Sequence, residues 1–306
     1  MTGPQSGEPR SEVPISFRLG LASNAYALGA ILLWASLASA LYISLGSLAP
    51  QQILTFGMGT AGVALMGWDW VRGKSPRHTW PGLSAMALGL YGIFGYHALL
   101  VGAFAFAPPV QANVLNYTWP LWILLLGARA SGRKFGGRLA LGGAMGLAGT
   151  IVALEPWRAE WASTPRAWVG YGLALSAGFC WGSFTVLLHR RPPSEPVMGW
   201  WCVEAALVSA AWMLAGGVPF ALDLHAVAVL SYIGLLPLGA AFALWETATQ
   251  RSSLSTLGLL SYLTPPLSTL VLGWVSGHAA TAWAWLGLAL VLGGALVGKN
   301  TEASRA

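Results

Sequence analysis

Three ionisable side chains fall inside long apolar runs of this sequence: His97, Glu204 and Glu246. A charge is costly in hydrocarbon, so such a residue faces a cavity or a partner and is a candidate for chemistry. His97 follows Tyr96 near the outer end of its run, where a proton relay or a substrate contact competes evenly with a hydrogen bond to a neighbouring carbonyl. Glu204 stands about two turns from the inner end of its run and is the better placed to take a coupling ion or an amine. A structural role weighs as much there, and we expect Glu204 to be the only deep carboxylate, held by hydrogen bonds from neighbouring helices. Glu246 is about one turn from its end, within reach of Arg251 or Arg190, and pairing at that end is its favoured reading.

Aromatic residues form a second group. Trp34, Tyr96, Tyr117, Trp119, Trp181 and Tyr262 fall mid-run, where they suit a stacking wall for an apolar or aromatic ligand; rings facing lipid or simply packing are the alternative. Trp119 and Trp181 are expected to line a substrate path. Trp68, Trp70, Trp80, Trp157, Trp161, Trp168, Trp283 and Trp285 sit at run ends, where indoles anchor at headgroups. Pro120 and Pro265 lie inside runs, and a proline there removes a backbone donor and kinks a helix. Each frees a carbonyl one turn earlier. Asn116 and Ser261 are placed to bind such a carbonyl or a substrate's ammonium and carboxylate. Both proline-bearing helices are expected to bend and to form part of a gating surface.

These residues are written into a duplication. Leu115-Asn116-Tyr117-Thr118-Trp119-Pro120-Leu121 is echoed by Leu260-Ser261-Tyr262-Leu263-Thr264-Pro265-Pro266, at an offset of about 145 residues. Leu141-Gly142 matches Leu286-Gly287, Gly149 matches Gly294 and Val152 matches Val297 at the same offset, while Trp34-Ala35-Ser36 aligns with Trp181-Gly182-Ser183 at a slightly larger one. Matched residues should face a pseudo-symmetric centre or be equally remote from it, which favours a cavity for the paired aromatics. The small-residue stripe Gly142-Gly143-Ala144-Met145-Gly146, echoed by Gly293-Gly294, points to close helix packing.

Composition places all of this in a bilayer. Charged residues are 8% of the chain, against about 25% in soluble domains, and mean hydropathy is +0.62. The net charge of +6 therefore argues for no nucleic-acid partner. Cys180 and Cys202 lie in apolar runs, with no disulfide framework and no metal-binding spacing. No cofactor is implied, no catalytic constellation supports an enzyme, and no polar filter or charged ring supports a channel.

Apolar runs of spanning length fall near 22–45, 51–71, 81–105, 107–128, 136–154, 168–189, 197–217, 226–250, 253–276 and 280–298. Ten crossings put the basic residues almost wholly on one side, leaving only Arg158 and Arg166 opposite among 16 Lys and Arg. Under the positive-inside rule both termini are cytoplasmic. The fold class is thus all-α integral membrane, with ten transmembrane helices in two inverted five-helix repeats. An odd number of crossings per repeat inverts the second copy, and the expected site lies between the halves near mid-bilayer. The division is a cytoplasmic tail 1–20, a first repeat 21–154, a linker 155–167 on the outer side, a second repeat 168–298 and a cytoplasmic tail 299–306.

This arrangement, with Asn116-Tyr117-Thr118-Trp119-Pro120 and its second copy, resembles the drug/metabolite transporter superfamily with EamA-type repeats over about residues 20–300. Tyr96-His97 and Trp181 make it most similar to the aromatic amino-acid exporters of the YddG type, found in the bacterial inner membrane. The resemblance implies a central cavity that binds amino acids and related metabolites and opens alternately to each side. It also implies transport roles for Tyr96, His97, Tyr117, Trp119, Pro120 and Trp181. Glu246 departs from the neutral amide that many such repeats have there, which leaves the coupling ion open. A monomer exporting aromatic and other neutral amino acids is the expectation; a proton-coupled exporter of drugs or nucleobases with the same fold is the alternative.

Overall fold

The computed structural model describes residues 15–43, 48–74, 81–132 and 135–299, and every regular element among them is helical. Trp80, Arg10, Arg77, Arg133, Lys134 and Arg305, and the side chains of Arg18 and Lys299, lie outside the described residues. Helix α1 is Ile15–Ile43. Helix α2 begins at Pro50–Gln52 and continues through a π-helical Ile53–Gly57 into Met58–Val71. Helix α3, Leu83–Phe106, contains a π-helical stretch Leu90–Gly95. Helix α4 comes in two pieces, Pro109–Asn116 and Trp119–Ala130, and α5 is Gly137–Leu154. Then follow α6, Pro165–Arg190, α7, Met198–Ala215, and α8, Leu224–Arg251, with a π-helical Gly234–Ala240. Helix α9 is again in two pieces, Leu254–Ser261 and Thr264–Val275, and α10 is Ala282–Lys299.

Six of these are long and apolar enough to cross a membrane: α3, α5, α6, α7, α8 and α9 taken through its break. Asn24–Leu37 of α1 and Ala282–Gly298 of α10 are shorter apolar helices. Gln51, Gln52 and Asp69 make α2 more polar, and α4 is interrupted and carries Gln111, Asn113 and Asn116. The rings expected at headgroups stand on the outside: Trp68, Trp70, Trp157, Trp161, Trp168, Trp283 and Trp285 are all exposed.

The breaks in α4 and α9 follow from their prolines. Pro120 cannot donate to the carbonyl of Asn116, nor Pro265 to that of Ser261, so each helix loses a bond just before its proline. The chain tightens instead: Thr118 N–H donates to Leu115 O at 3.2 Å and Leu263 N–H to Leu260 O at 2.9 Å. Each second piece then restarts one turn on, Trp122 N–H on Thr118 O and Leu267 N–H on Leu263 O, both at 3.2 Å. The four bonds occupy matched places in the two copies. Where bent helices were expected at these prolines, the helices are interrupted outright.

Packing repeats the same exchange. Helix α1 lies against α8 and the second piece of α9, as α6 lies against α3 and the second piece of α4. Helix α2 meets α7 and the π-helical stretch of α8, while α7 meets α2 and that of α3. Two further broad contacts are α4 with α9 and α5 with α10. In the last, backbones nearly touch. A Cβ on Gly142 would stand 2.6 Å from Gly294 O, and one on Gly287 would stand 2.5 Å from Gly149 O. Of the small-residue stripe, Gly142 serves this helix contact, while Gly143 faces Leu124 of α4 and Gly146 the Tyr262 ring of α9. Around the connection between α5 and α6, the Glu155 carboxylate accepts from Thr281 and pairs with Arg158, while Arg166 donates to Ala105 O at 3.1 Å.

Candidate functional site

The core between α1, α3, α4, α6 and α8 is a cluster of aromatic rings. Trp34 lies at its centre, with ring centroids 5.6 Å from Trp181, 6.3 Å from Trp119, 5.2 Å from Trp245 and 6.3 Å from Phe242. Tyr96 stands 5.0 Å from Trp181, and His97 stands 4.8 Å from Tyr96 and 6.0 Å from Phe242. Most contacts are edge-to-face or tilted, the arrangements that aromatic quadrupoles favour. Trp119, Trp181, Phe242 and Trp245 are buried, whereas Trp34, Tyr96, His97 and Tyr117 are half-buried. The second group thus keeps part of its surface accessible while its rings pack within the cluster.

Small residues let these rings come together. A Cβ on Gly92 of α3 would stand 2.0 Å from the ring of Phe184, whose centroid is 5.5 Å from that of Trp181. On α6, a Cβ on Gly178 would stand 2.7 Å from Thr118 Oγ1 and 2.8 Å from Asn116 O, so the broken part of α4 runs directly over that glycine. Ser36 and Ser183, which end the two matched Trp-x-Ser runs, each accept from a tyrosine of the neighbouring helix: Tyr232 at 2.7 Å and Tyr91 at 2.6 Å.

Polar groups at the edge of the cluster are few. His97 Nδ1 lies 2.6 Å from Ile93 O. A carbonyl only accepts, so Nδ1 carries the proton and Nε2 remains as the ring's acceptor. Of the two readings open for His97, the hydrogen bond to a backbone carbonyl is present, and it leaves a lone pair free. Asn116 Nδ2 donates to the Tyr96 hydroxyl at 3.3 Å, while its Oδ1 is buried without a partner among the described residues. Buried polar atoms are nearly always hydrogen-bonded, so this acceptor stands out as unsatisfied at the edge of the cluster.

The remaining candidates fall elsewhere. Tyr262 is fully buried in a separate cluster with Ile31, Leu124 and Val291, its ring seated over Gly146 of α5. Ser261 Oγ is turned back to Leu257 O at 2.6 Å. Pro120 and Pro265 are buried at the restarts of α4 and α9. The carboxylates differ in burial: Glu246 is buried, 9% exposed, and Glu204 is half-buried. Glu246 forms no ion pair with Arg251 or Arg190 among the described residues; Arg251 lies over the Tyr26 ring at 5.0 Å and donates to its hydroxyl at 3.3 Å. Instead of being held by neighbouring helices, Glu204 Oε2 is buried with no hydrogen-bond partner among the described residues. Helix α7 turns its Cys202, Ala205, Ser209 face inward, and Glu204 shares the other face with exposed Leu207 and Leu214.

Phe242 and Trp245 of α8 are cluster members that sequence reasoning missed. The duplication contained the signal for the first. At the offset that pairs Tyr117 with Tyr262, His97 pairs with Phe242, and the π-helical stretches Leu90–Gly95 and Gly234–Ala240 precede the two alike.

The EamA-like transporter family model matches this sequence twice, over residues 21–154 and 168–297. The chain belongs to the EamA-like transporter family. It is a multi-pass membrane protein of a family of transporters and not an enzyme. The aromatic amino acid exporter YddG of Ancylobacter novellus is 35% identical over 274 residues, covering 88% of this chain and 93% of that protein. A riboflavin transporter of Rhizobium johnstonii is 27% identical over 235 residues, covering 74% and 72%. One solved crystal structure superposes with a TM-score of 0.83 at 29% identity, over 92% of this chain and 98% of the other.

Proposed function

We propose that this transporter exports aromatic and other neutral amino acids and related metabolites across the bacterial inner membrane, by alternating access around the aromatic cluster. The observation that carries the reading is that half of this cluster is only partly buried and sits beside an unsatisfied acceptor. Trp34, Tyr96 and Tyr117 are the rings placed to meet an aromatic side chain, His97 Nε2 is an acceptor beside them, and the orphaned Asn116 Oδ1 would receive an ammonium once the cluster opens. The likeness to an aromatic amino-acid exporter along nearly the whole chain supports it.

The architecture in this reading is ten crossings in two inverted repeats, 21–154 and 168–298, joined by the linker 155–167, with both termini cytoplasmic and the chain acting as a monomer. Trp34 and Trp181 are matched in sequence and touch each other. Residues exchanged by a two-fold axis touch only beside it, which is where a shared site is expected. The Gly142–Gly294 and Gly287–Gly149 contacts support the same axis, since exchanging the copies turns one into the other. Rocking of one repeat against the other about the breaks in α4 and α9 then exposes the cluster to each side in turn.

The decisive experiment is uptake by proteoliposomes across the amino acids, with and without a pH gradient. Aromatic amino acids are expected to be taken up fastest, neutral bulky ones next and charged ones least. The likeness to a riboflavin transporter makes a flavin the competing ligand. Uptake of riboflavin or a nucleobase with none of phenylalanine, tyrosine or tryptophan overturns the proposal.

A further inference from the structure

Between the second piece of α4 and the last turns of α6 runs a surface groove of about 410 Å³, away from the aromatic cluster. Its walls are one stripe from each helix, Leu126 and Ala130 on α4 and Phe179, Val186 and Leu187 on α6, with Ser183 between. Arg129 and Arg190 close the groove at one end. Neither guanidinium has an ion pair or hydrogen bond among the described residues. His189 next door is turned the other way, its Nδ1 at 2.6 Å from Thr249 O.

We infer that this groove holds one anionic phospholipid, its phosphodiester between Arg129 and Arg190 and an acyl chain along the stripe. Three observations agree. From Phe179 to Arg190 the α6 wall rises about 16 Å, close to half of a hydrocarbon core of about 30 Å, so the groove has the depth of a single leaflet. The lining is apolar below and cationic only at its end, which is the charge pattern of a phospholipid. Both arginines sit in the last turns of their helices, and each helix end carries about −0.5 of partial charge. With exposed Arg191 beside Arg190, the cations at this end outweigh the two helix ends and leave a positive surplus, which an anionic headgroup meets. An unbranched zwitterionic lipid brings no net charge to meet that surplus, and basic pockets between membrane helices are known to take acidic headgroups.

Native mass spectrometry of the full chain, taken from mixed phosphatidylglycerol and phosphatidylcholine, tests this directly. One phosphatidylglycerol per chain is expected to survive delipidation. Arg129→Gln with Arg190→Gln should lower the retained ratio of phosphatidylglycerol to phosphatidylcholine by about tenfold or more. Leu187→Trp fills the groove, leaves both arginines in place and should lower retention of the lipid as well. Equal retention of the two lipids by the unaltered protein overturns the proposal, as does undiminished phosphatidylglycerol on either variant. Inorganic phosphate given to protein in phosphatidylcholine alone should not bind. Binding that disappears in the double arginine variant would make this a free-anion site and overturn the lipid assignment.

Discussion

Trp119 and Trp181 are the rings whose loss should be felt most by a substrate, because both are buried beside Trp34 and Trp181 also packs on Tyr96. An edge-to-face or stacked aromatic pair contributes on the order of 1 kcal/mol. Trp119→Ala or Trp181→Ala should therefore weaken apparent affinity for an aromatic amino acid severalfold while the protein still reaches the membrane. Uptake kinetics on matched amounts of reconstituted protein check this, and unaltered kinetics in both variants would take the rings out of the site. The carboxylates are a separate question. A zwitterion carries no net charge, so its passage requires no titrating partner, and Glu204 lies on the face of α7 away from the cluster. Glu204→Gln should keep most uptake, and an imposed pH gradient should change uptake little in the unaltered protein. Glu246→Gln is the sharper control, since Glu246 is the buried carboxylate. Loss of transport in that variant, together with substrate accumulation against its gradient when a pH gradient is applied, would establish proton coupling through Glu246.

The broken helices α4 and α9 decide how the elements can move. Restoring a donor with Pro120→Ala lets Asn116 O regain its helical bond, and a continuous α4 resists the rocking that the break permits. The expected result is a lower maximal uptake rate with little change in apparent affinity; an unchanged rate would show that the break has no part in access. Gly92→Ala tests packing alone. The added methyl would meet the Phe184 ring, and overpacking of that kind costs about 1–3 kcal/mol, read as a lower melting temperature in detergent. Much of this was legible in the sequence. The prolines announced where α4 and α9 deviate, and the glycine stripe announced close helix packing without naming its partner. The π-helical stretches of α2, α3 and α8 were not legible, because a single inserted residue hardly alters an apolar run. Nor was the burial of Tyr262: its sequence match to Tyr117 says where it lies in a repeat, while the smooth surface over Gly146 decides what it touches. Glu204 and Glu246 show the same gap, since depth along a run is read from sequence but the face of the helix on which a lone charge sits depends on its neighbours.

At the scale of the whole molecule, the testable claim is that the two halves are exchanged by an axis lying in the membrane plane. Two loops report on it. Ser131-Gly132 closes α4 and Ser276-Gly277 closes α9, in matched places of the duplication. Both glycines take the left-handed conformation, at φ 63° and 72°. The serine amides cap alike, Ser131 N–H on Gly127 O at 3.0 Å and Ser276 N–H on Leu272 O at 2.9 Å. Two loops built the same way, after helices broken the same way, occupy equivalent ends of their repeats. If the second repeat enters the bilayer from the opposite side, those equivalent ends must face opposite compartments. Single cysteines at Ser131 and Ser276 should therefore be modified by a membrane-impermeant maleimide from opposite sides of intact vesicles. Cys180 and Cys202 are both buried and should contribute little background. Under the charge partition of the sequence, the cysteine at position 131 is the one labelled from the cytoplasmic side. Labelling of both positions from one side would mean an even number of crossings between them, and the inverted arrangement would fail with it.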